Sequence, residues 1–165
     1  VGGDSKHYKL DESAAFELGN SLRAAQETAN AGLLVTFSRR TRPSSAAILR
    51  ELLDSPATRF WNGQGQNPYF GYLACADYLF VTEDSVSMTS EAASTGKPTY
   101  ILGVPGGNQK FHDFHQNLQK EGITRRFAGY LDLPWDYDKL DETSTIAALV
   151  CERLLSHTTQ YTKIG

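Results

Sequence analysis

The sequence predicts an α/β protein, a Rossmann-like three-layer α/β/α domain built on a parallel sheet. Three observations point there. Short apolar runs alternate with segments of helical periodicity, as in βαβ units. The apolar runs carry little polar character on either face, as expected when helices cover both sides of a sheet. The connections that leave the strands are rich in functional groups, whereas those that enter them are plain.

The elements follow in order. Asp11 opens a helix in which Ala15, Leu18, Leu22, Ala25 and Ala29 share one face, and residues 30–32 close it with C-cap chemistry. Residues 33–37 form a strand. A second helix over 43–53 starts at Pro43, whose missing N–H is no loss in a first turn, and turns Ile48, Leu49, Leu52 and Leu53 inward. Residues 58–61 form a strand, 69–75 a short helix, 78–82 a strand and 85–95 a helix ended by Gly96. Residues 99–102 form a strand. Phe111, Phe114, His115 and Leu118 mark one helical face, and 123–130 holds an edge strand. Thr143, Ile146, Ala147, Val150 and Leu154 define a last helix, and the tail from His157 has no clear period.

The 165 residues read as one domain over 1–165. Val1-Gly2-Gly3-Asp4 reads as the exit of a strand whose body lies upstream, so the chain is expected to be the C-terminal half of a longer two-domain protein. A net charge of -3 gives no general attraction to nucleic acid. No apolar run approaches the roughly 20 residues that span a bilayer. Cys75 and Cys151 form no CxxC pair and read as small buried hydrophobes in a reducing, cytoplasmic setting.

Ligands of open parallel sheets bind beyond the carboxyl ends of the strands. There the sequence places Ser38-Arg39-Arg40, the loop of residues 62–67 starting with Asn62, Glu83-Asp84-Ser85, and a second glycine pair, Gly106-Gly107. Guanidinium forks suit phosphate oxygens, so Arg39 or Arg40 is a candidate phosphate contact. Ser85 can cap the following helix and reach an anion at its N-terminus, where small residues such as Ser87 let a ligand approach the backbone; the plain alternative is a cap alone. Glu91, among small residues in that helix, suits two ribose hydroxyls or is a simple surface acid. Gly2-Gly3 is a phosphate-facing turn or only a turn. Gly106-Gly107 is a weak signal of the same kind, or a loop that closes over a ligand. Asn62 and its loop can frame a nucleobase, while Trp61 reads as core. His112 and His115 lack a third ligand, so no metal is expected. With no P-loop, GxGxxG or GxSxG, no dinucleotide or other cofactor is implied.

Thr36-Phe37-Ser38-Arg39-Arg40-Thr41, Asn67-Pro68-Tyr69-Phe70-Gly71-Tyr72-Leu73, the run from Val81 to Ala92 and Gly96-Lys97-Pro98 resemble the mitochondrial-fission "elongated mitochondria" family. Its bacterial members carry the label of nucleoside-diphosphate-sugar epimerases. That family in turn resembles the GT-B glycosyltransferases, in which two Rossmann-like domains face a cleft and the C-terminal one binds the nucleotide sugar. The resemblance implies a nucleoside-diphosphate sugar, of UDP type, as ligand. By it Ser85 matches the diphosphate contact, Glu91 the ribose carboxylate, Gly2 and Gly3 the glycine-rich turn, and Arg39 or Arg40 a basic diphosphate contact. Ser38, Asn62, Asp84 and Ser87 complete the expected substrate-binding set. It implies an N-terminal partner domain that supplies acceptor contacts, so no catalytic residue is assigned. Lipid acceptors of such enzymes leave peripheral membrane association open. Arg42 departs from the pattern, standing between Thr41 and Pro43 where the family runs directly from Thr to Pro. The competing reading is a non-catalytic fission adaptor on the same fold.

Overall fold

The computed structural model describes residues 1–141, 146–147 and 149–153. Helices and strands alternate through the chain as α1 (Glu12–Ala29), β1 (Leu33–Val35), α2 (Pro43–Leu52), β2 (Thr58–Phe60), α3 (Tyr69–Cys75), β3 (Leu79–Thr82), α4 (Val86–Ala93), β4 (Thr99–Leu102), α5 (Gln109–Lys120) and β5 (Thr124–Arg126). Every strand pairing is parallel. The parallel strands with helices between them are consistent with a Rossmann-like α/β fold.

The expected single sheet is in two pieces, β1-β2 and β3-β4-β5. The segment Val1–Gly3 lies between them at their carboxyl ends. The Val1 nitrogen donates to the Thr36 carbonyl at 2.9 Å, and the Val1 carbonyl accepts from Ser38 N–H at 2.9 Å. Toward the other sheet, Gly2 N–H donates to Thr82 Oγ1 at 2.7 Å. Two short strand systems are thus tied together at the edge where the sequence gathers its polar groups.

Local chemistry explains the helix limits. Asp11 caps α1 by accepting from Ala14 N–H, and Asn30 ends it in the left-handed region at φ 48°. Ala15, Leu18, Leu22 and Ala25 are buried as their spacing requires, but Ala29 is exposed, because the last turn of α1 runs past the packed face. Leu49 and Leu53 of the second helical segment are buried against α1, and Leu10 and Leu102 join the same core. Burying four such leucines contributes on the order of 2 kcal/mol each. Tyr100, 1% exposed, anchors a second aromatic core with Phe80, Phe127 and Trp135.

Three expectations need correction. Both cysteines are exposed; Cys75 ends a seven-residue helix that buries none of its side chains. Trp61 is half-buried and outside the core, its indole N–H donating to the Gln64 carbonyl in the loop that follows. The last expected helix is helical at Ile146, Ala147 and residues 149–153, yet Ile146 and Val150 are exposed, since the described residues offer that face no cover. Thr143, Leu154 and the tail from His157 lie outside the described residues. Among those residues, no helix is long and apolar enough to cross a membrane.

Candidate functional site

The carboxyl edge is organised around one buried carboxylate. Asp84 follows β3, and its side chain has no exposed surface. Its Oδ2 accepts from Gly3 N–H at 3.0 Å and from Arg40 Nη2 at 3.0 Å. A buried carboxylate is tolerated when a cation and hydrogen bonds compensate it; here Oδ2 has both, while Oδ1 is buried without a hydrogen-bond partner among the described residues. Gly2 and Gly3 are required by close approach. A Cβ at Gly2 would overlap the Asp84 carboxylate, and one at Gly3 would overlap the Arg40 carbonyl.

The loop after β1 is stitched to this clasp. Arg40 also donates to the Asp4 carbonyl, Thr41 Oγ1 donates to the Gly2 carbonyl, and Ser38 Oγ accepts from Arg40 N–H at 3.1 Å. Arg42 pairs with Asp4 through Nε and stands at the N-cap position of α2. Asp4 Oδ1 in turn accepts from Leu10 N–H at 3.0 Å. Arg40 and Arg42 are therefore both committed to carboxylates. Arg39 is exposed and makes no hydrogen bond or ion pair with the described residues. The sequence left the two adjacent arginines equivalent, and the structure separates them.

Ser85 caps α4, its Oγ accepting from Met88 N–H at 3.4 Å. It is buried, whereas Val86 and Ser87 in the first turn are exposed. Glu91 is also exposed, and its Oε2 accepts from Tyr69 Oη at 2.6 Å. Burial, and then the hydrogen bond to Glu91, hold the Tyr69 hydroxyl well above its usual range, so it remains a donor at neutral pH. Tyr69 is itself placed by Asn67, whose side chain accepts its backbone N–H at 3.0 Å. Asn62 shapes the loop of residues 62–67 by accepting from Gln64 N–H at 2.9 Å.

The backbone N–H groups of Gly2 and Gly3 are spent on Thr82 and Asp84, and Ser38 on its own turn. They build the edge from within. Arg39, Ser87 and Glu91 present groups outward. His112 bonds Gln116, and His115 Nε2 bonds the Glu83 carbonyl at 2.8 Å.

Three contributors were missed in the sequence. Thr82 receives Gly2, Tyr69 holds Glu91, and Lys97 Nζ donates to the Ala74 and Ala76 carbonyls at the end of α3. No spacing rule links positions 69 and 91, or 97 and 74. The available signals were the polar end of Tyr69 and the lysine between Gly96 and Pro98.

The sequence profile of the mitochondrial fission ELM1 family matches residues 1–154. The chain is 36% identical over 157 residues to the mitochondrial fission protein ELM1 of Arabidopsis thaliana, an alignment covering 93% of this chain and 36% of that protein. It is 30% identical over 160 residues to the uncharacterized protein RP120 of Rickettsia prowazekii (strain Madrid E), covering 91% of this chain and 44% of that protein. The chain thus spans less than half the length of these relatives. No solved structure matches it. The match along nearly the whole chain establishes that it belongs to the mitochondrial fission ELM1 family.

Proposed function

We propose that the carboxyl edge binds a nucleoside diphosphate, and with it the sugar of a UDP-type nucleoside-diphosphate sugar. The observation that carries this reading is the division of labour among the cations. Arg40 is held by buried Asp84, while Arg39, next to it in sequence, is exposed and has no ion pair among the described residues. A free guanidinium suits a diphosphate, and a helix N-terminus such as that of α4 presents unpaired N–H groups and partial positive charge to the same ligand. Glu91 lies farther along that helix with Oε2 on Tyr69 and Oε1 open to ribose hydroxyls.

On the GT-B analogy, the diphosphate of a departing nucleotide would be stabilised electrostatically here, and a second domain would carry acceptor contacts and the catalytic base. The activity is then glycosyl transfer or nucleotide-sugar epimerisation by a longer, cytoplasmic protein, peripheral to a membrane where the acceptor is a lipid. Titrating the folded chain with UDP tests this. Binding that weakens in Arg39→Gln and Glu91→Ala supports it; identical behaviour of all three proteins removes it.

A second reading is an interaction scaffold without nucleotide. Ile146, Leu149 and Val150 are 50–58% exposed, apolar side chains suited to a protein partner. The name of the Arabidopsis relative, a mitochondrial fission protein, is compatible with it. This reading predicts no nucleotide binding and loss of partner capture in Leu149→Asp.

A further inference from the structure

Tyr8 is almost wholly covered, yet its hydroxyl is unused. The residue is 3% exposed and packs edge-on against Phe111 at 5.2 Å. A tight turn over residues 5–9 holds it, with Ser5 Oγ accepting from the N–H groups of His7 and Tyr8. Gly107 N–H donates to the His7 carbonyl at 2.7 Å, so the loop after β4 is laced to the same turn. Gly107, at φ 106°, lies against the hydroxyl: an added Cβ would stand 3.2 Å from Tyr8 Oη. Oη makes no hydrogen bond with the described residues and is not sealed from solvent. A buried phenol ordinarily finds a partner. Burial first, and then the charges of Glu83 and Asp84, push its pKa up to about 12, so at neutral pH it is an O–H that both donates and accepts.

Tyr8 lines a cavity of about 510 Å³, within the roughly 300–1,000 Å³ of small-molecule sites. The groups that act on its hydroxyl, Gly107 by contact and Glu83 and Arg126 through their charges, line the same cavity, so the hydroxyl faces into it. The wall also carries four neutral carboxamides, Asn108, Gln109, Gln116 and Gln119. Gln119 is half-buried, and its amide has no hydrogen bond with the described residues. The one carboxylate and the one guanidinium of the wall are spent on each other. Glu83 Oε2 accepts from Arg126 Nη1 at 3.1 Å, and Oε1 accepts from Val104 N–H at 2.8 Å. His115 Nε2 donates to the Glu83 carbonyl at 2.8 Å and steadies that stretch of wall. The cavity thus offers neutral donors and acceptors and no uncompensated carboxylate or guanidinium. It adjoins the clasp, since Glu83 of its wall precedes Asp84.

We infer that this cavity binds a neutral, hydroxyl-rich ring, a saccharide unit, with Tyr8 Oη and the Gln119 amide as hydrogen-bond partners of its hydroxyls. A sugar hydroxyl donates and accepts, and a phenol and a carboxamide answer both roles. Because the wall spends its charge pair internally, an acidic sugar finds no free cation there and gains nothing over a neutral one. A site built to hydrogen-bond hydroxyls also discriminates sharply against a ligand that lacks them. The cavity uses none of Arg39, Ser85 or Glu91. Assigning its saccharide to the sugar of a nucleotide sugar rests on the nucleotide reading; the chemistry of the cavity does not.

The test is amide NMR of the folded chain titrated with methyl glucoside, methyl N-acetylglucosaminide, glucuronate, UDP and UDP-glucose, for wild type, Tyr8→Phe and Gln119→Leu. Tyr8→Phe keeps the buried ring and removes only the hydroxyl. A neutral glycoside is expected to shift the amides of residues 106–109 and 115–119, and glucuronate to bind no more tightly. Each variant should weaken the glycoside response by about five-fold, the scale of one neutral hydrogen bond, and leave UDP-induced shifts at Ser87 and Glu91 unchanged. UDP-glucose that moves both sets of amides makes the cavity the seat of the donor's sugar. Cavity shifts from a glycoside but not from UDP-glucose make it a separate saccharide site. Cavity shifts from a glycoside with no response to UDP uphold the inference and remove the nucleotide reading. Cavity amides that neither the glycosides nor UDP-glucose move, a response equal in all three proteins, or tighter binding of glucuronate overturns the inference, whatever UDP does at Ser87 and Glu91.

Discussion

Arg40 Nη2 stands 3.0 Å from Asp84 Oδ2, and this pair fixes the geometry of the carboxyl edge. The carboxylate is wholly covered while the guanidinium is 44% exposed, so water screens one partner only. Replacing Arg40 by Met leaves a buried charge with the Gly3 N–H as its one remaining hydrogen-bond donor among the described residues. That change is expected to cost ~1–3 kcal/mol, less than the ~3–5 kcal/mol of breaking a fully buried pair, because Arg40 is partly solvated. Arg39→Gln should leave stability within ~0.5 kcal/mol, as for an ordinary surface change. Urea unfolding of the two variants reads the contrast.

Gly2 and Gly3 make the approach of Val1–Asp4 to the edge possible. Gly3→Ala meets the Arg40 backbone, which cannot yield without moving the loop, whereas Gly2→Ala meets a side chain. Gly3→Ala should therefore be the more damaging, by ~2 kcal/mol or more. Thermal unfolding of both variants gives the order, and equal midpoints would refute it.

Lys97 closes α3 by donating to two carbonyls left free at a helix end. Lys97→Met is expected to remove ~1 kcal/mol locally and to speed hydrogen exchange across residues 69–76. Because α3 begins with Tyr69, the same variant should loosen the hold on Glu91. Unchanged exchange in α3 would contradict this role.

Burial first, and the nearby Glu83 and Asp84 charges second, push the Tyr8 hydroxyl from 10.0 up to about 12. A raised pKa in the folded state means that the neutral form is favoured by folding. Its contribution is fully present below pH 10 and is lost as pH rises from there through about 12. Tyr8→Phe is expected to remove part of the alkaline loss of stability in that window and to leave the profile near neutrality flat. Denaturation midpoints measured against pH for both proteins test the sign.

The alternation of apolar strands and capped helices made the fold legible, because these signals are local. Asp11, Asn30, Pro43 and Gly96 each terminate or start an element through their own backbone chemistry. The edge that carries the polar loops was legible for the same reason. What each polar residue does there was not. Arg39 and Arg40 are neighbours with one chemistry, and only the position of Asp84, more than forty residues away, separates strut from free cation. Cys75 and Val150 looked like core because their helices are apolar. Exposure is a property of what packs against a helix, and no local pattern contains it.

The most direct test of the nucleotide reading is calorimetric titration of UDP into the folded chain, with Arg39→Gln and Glu91→Ala measured alongside. The account predicts saturable binding by the wild type and a loss of about ten-fold in affinity in each variant, the scale of one charge-assisted hydrogen bond. Absence of binding by the folded wild type, or equal affinity in all three, would contradict it and leave the interaction-scaffold reading in its place.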